Sequence, residues 1–104
     1  MGDCEFHRNV TQVNGATVVA LCGELDVASS QELSDELAEL IEGGTTDLVI
    51  DLAQLAFIDS TGLSAILRAN RSLERGHLVL REPSPMVRQV LEISGLTGAL
   101  RIEP

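Results

Sequence analysis

Residues 43–63 read Gly43-Gly44-Thr45-Thr46-Asp47-Leu48-Val49-Ile50-Asp51-Leu52-Ala53-Gln54-Leu55-Ala56-Phe57-Ile58-Asp59-Ser60-Thr61-Gly62-Leu63, and the fold turns on this stretch. The paired glycines end the helical pattern before them and supply the left-handed position past a helix C-terminus. Asp47–Leu52 is then a short apolar run between polar residues, which reads as a strand. A strand that follows a helix across so tight a link predicts a parallel crossover. Asp59-Ser60-Thr61 opens a second helix, with Leu63, Ile66, Leu67 and Leu73 on one side and Gly76 at its end. The opposite side of that helix bears Arg68, Arg71 and Arg75.

Working outward, Val10 and Val13, then Thr17–Cys22, read as two antiparallel strands joined at Asn14-Gly15, a pair that tolerates the positive φ of a hairpin turn. After Gly23-Glu24-Leu25-Asp26, the run Ser29-Ser30-Gln31-Glu32 has capping-box spacing, and Leu33, Leu37, Leu40 and Ile41 follow at helical intervals. Downstream, His77–Leu80 predicts a further strand. Ser84-Pro85 then gives an N-cap and first-turn proline to a helix with Val87, Val90, Leu91 and Ile93 inward, closed by Gly95. Leu100–Ile102 is placed as a short edge strand. The order ββαβαβα, with that last strand, predicts one α/β domain spanning residues 1–104. Its mixed four- to five-stranded β-sheet carries α-helices mainly on one face.

Composition narrows the function. The 104 residues carry 16 acids, 7 arginines, no lysine and a net charge of −9. Residues 1–59 hold 12 of the acids and one base, Arg8. Such a surface repels phosphate backbones and anionic lipid, which argues against nucleic acid and membrane partners and favours a protein partner. With two Phe and no Trp or Tyr, there is no aromatic platform for stacking bases. The N-terminus lacks the basic and apolar regions of a signal peptide, and no apolar run approaches a membrane span, so a soluble cytoplasmic protein is expected. Cys4 and Cys22 lack CxxC spacing and are expected to be buried, reduced thiols. The apolar residues are largely used by internal helix faces, and a monomer is expected for the chain alone.

The common catalytic devices are missing. There is no phosphate loop, no dinucleotide fingerprint, no HExxH and no Cys/His set at zinc spacing, so neither cofactor nor metal is expected. His7 and His77 each stand at a strand start and are expected to be structural or solvent-facing. Glu24 and Asp26 alternate to one side of an extended segment without a visible cleft. The informative segment is Phe57-Ile58-Asp59-Ser60-Thr61-Gly62-Leu63. One reading makes Ser60 a simple helix cap beside an Asp59 that suits the dipole end, worth about 1 kcal/mol. The other exposes that hydroxyl for modification, with Gly62 letting another backbone come close.

At these residues the chain resembles the STAS domain family and, within it, the anti-sigma factor antagonists of bacteria. The resemblance rests on Gly23-Glu24-Leu25-Asp26, on Leu48–Leu52, on Phe57–Leu63, and on Ser84-Pro85-Met86-Val87 running to Ile93-Ser94-Gly95-Leu96, in order and at matching separations across nearly the whole chain. It implies the STAS fold. It also implies that Ser60, the first hydroxyl after the aspartate, is phosphorylated by a serine kinase that doubles as the anti-sigma factor. Thr61 stands beside it as a second hydroxyl. The unphosphorylated form would bind that kinase and free the sigma factor; the phosphorylated form would be released and then restored by a PP2C-type phosphatase. Asp26, Asp59, Thr61, Gly62 and Leu63 are the implied partner-binding residues. ATP and the catalytic groups would belong to the kinase, so the chain is expected to be a switch and no enzyme. Ser64 departs from the family, many of whose members carry Gly there.

Two other readings compete. A STAS subunit of a phospholipid-import transporter would steady an ATPase without being phosphorylated. A small nucleotide-binding or hydrolysing protein is disfavoured by the missing phosphate loop.

Overall fold

The computed structural model describes residues 6–73, 77–94 and 100–103. The elements are β1 (His7–Val13), β2 (Ala16–Leu25), α1 (Val27–Glu42), β3 (Asp47–Ile58), α2 (Ser60–Ser72), β4 (His77–Arg81), α3 (Pro85–Ile93) and β5 (Arg101–Glu103). The five strands form one sheet in chain order, antiparallel between β1 and β2 and parallel thereafter. The mixed sheet read from the link after α1 is therefore present, and the last short strand pairs at its edge. Asn14 and Gly15 both take positive φ, 52° and 85°, as the hairpin between β1 and β2 requires.

Register decides which residues form the core. Val19, Ile50 and Leu80 stand opposite one another and, with Leu21, Leu48 and Leu78, belong to one buried cluster. Leu33 and Leu37 of α1, Leu63 and Ile66 of α2, and Val87 and Leu91 of α3 join that same cluster, so all three helices lie on one face of the sheet. Alternation sends the intervening row, Val18, Val49 and Val79, to the other face, where Asp51 pairs with Arg81 at 3.2 Å.

Several expectations need correction. The first helix begins at Val27, two residues before the expected Ser29, because Asp26 caps it and Ser29 completes the capping box. The third strand continues past Leu52 to Ile58, since β2 goes on pairing with it through two register shifts. Ile93 is 77% exposed, as it lies in the last turn of a short helix whose buried residues are Val87 and Leu91. Cys22 is disulfide-bonded, against the expectation of a buried, reduced thiol; it is half-buried on β2 opposite His7 and outside the core. Cys4, Arg75, Gly76 and Gly95 lie outside the described residues.

The positioning of the site follows from one asymmetry. Of β3, β4 pairs with Asp47–Asp51 alone, whereas β2 accompanies β3 to its end, with Leu25 opposite Ile58. The chain leaves both strands at the same level, and each leads at once into a helix.

Candidate functional site

At the end of β2, Asp26 Oδ1 accepts the backbone N–H groups of Ala28 (3.0 Å) and Ser29 (3.2 Å). Ser29 answers by accepting the Asp26 N–H at 3.0 Å, while its hydroxyl donates to the Glu24 carbonyl at 2.8 Å. At the end of β3, Asp59 Oδ1 accepts the N–H groups of Thr61 (2.9 Å) and Gly62 (3.1 Å) and the Thr61 hydroxyl at 2.5 Å. The two caps are coupled: the Asp59 N–H donates to the Leu25 carbonyl at 3.1 Å, one residue from Asp26. Helix starts carry unpaired N–H groups, and an acidic cap satisfies them while its charge meets the positive end of the dipole.

The Thr61 hydroxyl is the chief cause of a lowered Asp59 pKa; burial opposes it, and the amides of Gly62 and Thr61 add to the lowering. Asp59 is therefore ionised throughout the neutral range. Its occupation of the cap corrects one of the readings of Ser60: that serine is not the cap. Ser60 is the first residue of α2, it is exposed, and its hydroxyl makes no hydrogen bond among the described residues. Thr61 is half-buried and committed to Asp59.

The structure divides the other predicted residues. Asp26 and Asp59 are half-buried just past the ends of the adjacent strands β2 and β3. Gly62 and Leu63 are buried and support the loop from beneath. A β-carbon built on Gly62 would stand 2.7 Å from Leu25 Cγ and 3.1 Å from Ile58 Cγ1. The close approach that Gly62 permits is thus made by the protein's own Leu25, not by another backbone. Ser64, one turn after Ser60, is exposed.

Two apolar residues at this end had not been singled out as surface features. Val27, next to Asp26, is 71% exposed, and Phe57, paired with Glu24 two residues before Asp59, is 39% exposed. Val27 could have been found in the sequence, since it falls out of step with Leu33 and Leu37. Phe57 sits in an apolar run that gives no such signal. Among the described residues, no group of three or more His, Cys, Asp or Glu is placed to hold a metal ion. No helix among them is long and apolar enough to cross a membrane.

Comparison with known proteins gives the family. The STAS domain family model matches residues 7–104. The anti-sigma F factor antagonist of Lysinibacillus sphaericus is 35% identical over 95 residues, covering 88% of this chain and 81% of that protein. The anti-sigma factor antagonist SpoIIAA in its unphosphorylated form superposes with a TM-score of 0.80 at 29% identity, covering 94% of this chain and 88% of that one. The Bacillus cell fate determinant SpoIIAA in its phosphorylated form does so with a TM-score of 0.72 at 28% identity, covering 96% and 91%. The overall fold therefore has known counterparts, and this chain belongs to the STAS domain family as an anti-sigma factor antagonist.

Proposed function

We propose that this antagonist is switched by phosphorylation of Ser60. In its unphosphorylated form it binds an anti-sigma factor serine kinase in the cytoplasm and frees the sigma factor. In the phosphorylated form it is released. The observation that carries this reading is the exposed Ser60 hydroxyl, without a hydrogen bond among the described residues, beside an aspartate that has taken over the capping role. The existence of SpoIIAA in both phosphorylated and unphosphorylated forms supports it.

In the forward step, Ser60 Oγ bonds to the γ-phosphorus of ATP, the bond to the ADP oxygen breaks, and the serine proton passes to a base of the kinase. In the return step, water directed by a PP2C-type phosphatase attacks the same phosphorus, the bond from phosphorus to Ser60 Oγ breaks, inorganic phosphate leaves and Oγ regains a proton. Both sets of catalytic groups belong to the partners.

Phosphorylation adds about −1.5 to −2 charges next to Asp59. One added charge ~5 Å from a like charge costs ~0.8 kcal/mol at water's dielectric constant and ~3 kcal/mol at an effective value of 20. In the free protein water screens the new group, and the amides of Thr61 and Gly62 are already taken by Asp59. Docking removes that water. Val27 and Phe57 put exposed apolar side chains near the same strand ends, one next to Asp26 and the other two residues before Asp59, and a partner seated on this end would bury the phosphate beside the Asp59 carboxylate. The fold is expected to persist while binding is lost. Asp26 and Asp59 are the polar contacts of this face, Val27 and Phe57 its apolar anchors, and Gly62 and Leu63 hold its shape from below.

The test is incubation with the candidate kinase and ATP, followed by intact mass and fragmentation. One phosphate on Ser60, absent from Ser60→Ala, supports the switch. No phosphate from a kinase that is active on another substrate would refute it and direct attention to a transporter ATPase as partner.

A further inference from the structure

Two hydroxyls stand side by side at the start of α2, and they are used differently. Thr61 Oγ1 donates to Asp59 Oδ1 at 2.5 Å, and the same oxygen accepts the N–H groups of Thr61 and Gly62. All three donors come from residues 61 and 62. None comes from Ser60, although it is the residue next to the aspartate and an ionised carboxylate is the strongest acceptor a serine hydroxyl could find nearby.

We infer that Thr61 is a positioning residue for the reaction at Ser60: its hydroxyl holds the Asp59 carboxylate through Oδ1 over residues 61 and 62, an orientation in which the Ser60 hydroxyl is left to enter the partner's active site. The inference rests on the reading of Ser60 as the phosphoacceptor. Phosphoryl transfer depends on placing the nucleophile in line with the transferred group and gains little from covalent chemistry by the protein. A serine held against its own neighbour must be turned away from it before Oγ can line up with the transferred phosphorus, whereas one presented unbonded is already placed to enter the site. Threonine suits the task, because its branched β-carbon restricts χ1 and its half-buried position holds the donor in one place. Thr61 itself gains and loses no atoms in the step.

A residue that merely stabilised the helix start, or merely touched the partner, would behave differently on substitution. Thr61→Val keeps the shape and removes the hydroxyl; Thr61→Ser keeps the hydroxyl and removes a methyl. With the full chain and its kinase, at a temperature where circular dichroism shows both variants folded, kcat and KM for Ser60 phosphorylation separate the roles. Thr61→Val is expected to lower kcat about tenfold, the effect of one hydrogen bond, with KM within about twofold of wild type. Thr61→Ser is expected to recover most of the rate. An unchanged kcat in Thr61→Val, a loss confined to KM, or a serine variant as slow as the valine one would overturn the inference. A wild-type chain with no phosphate on Ser60 is a separate failure, which would remove the underlying reading and the inference with it.

Discussion

The closest packing beneath the site gives the sharpest stability prediction. Gly62→Ala would place a β-carbon 2.7 Å from Leu25 Cγ and 2.8 Å from Leu25 Cδ2, with Ile58 Cγ1 at 3.1 Å. Real carbon atoms do not approach so closely, and Leu25 and Ile58 are both core residues with no open space to move into. Overpacking of this kind costs about 1–3 kcal/mol. The clash is with Leu25 Cγ as well as with a terminal methyl, which puts the cost in the upper part of that range, about 2–3 kcal/mol; alanine in place of glycine in a helix returns about 1 kcal/mol, so the net loss should be roughly 1–2 kcal/mol. For a domain of this size that is a fall of about 4–16 °C in Tm. Chemical denaturation followed by circular dichroism measures it directly. The mechanism also predicts coupling: in Leu25→Ala the added methyl should fit the space vacated, so the double variant should be more stable than the sum of the single losses implies. A Gly62→Ala protein as stable as wild type, or a double variant with strictly additive losses, would refute the packing argument.

Other expectations can be checked alongside. Asp59 is depressed below its ordinary value of 3.8, so its contribution as an ionised cap is complete above that value and is lost as pH falls through the folded-state pKa. Urea midpoints between roughly pH 2 and 6 should therefore show a steeper acid-side decline in wild type than in Asp59→Asn, and equal slopes would contradict the cap assignment. Asp26→Ala should cost about 0.5–2 kcal/mol through loss of the α1 cap, read from the same midpoints. Val27→Asp, with a side chain 71% exposed, should change stability by no more than about 0.5 kcal/mol. It should nevertheless weaken binding to the anti-sigma factor about tenfold or more in a titration calorimeter, and unchanged affinity would remove Val27 from the docking face.

Much of this architecture was legible because each signal was local. Asn14-Gly15 could hardly be anything but a hairpin turn, the Gly43-Gly44 pair marked the end of α1, and Ser84-Pro85 marked the start of α3. The misread boundaries are those that tertiary contacts decide. Ser29 and Asp26 are equally good caps in isolation, and only the pairing of β2 up to Leu25 makes Asp26 the first residue free to act as one. Ala53, Gln54 and Ala56 are weak strand formers, so nothing local announced that β3 would follow β2 to Ile58. Residues 59–63 stood out as a motif, but their division of labour did not. Whether Asp59 or Ser60 caps α2, and what Gly62 makes room for, depends on distances to Leu25 and Thr61 that spacing alone does not carry.

One phosphate on Ser60 is expected to weaken binding roughly a hundredfold without unfolding the protein. The measurement that bears on it most directly is the affinity of the anti-sigma factor for the unmodified chain and for the same chain carrying phosphate at Ser60, with circular dichroism recorded on both. The account predicts superimposable spectra and an affinity lower by roughly a hundredfold, the equivalent of ~3 kcal/mol. Equal affinities for the two forms, or a phosphorylated chain that has lost its fold, would contradict it.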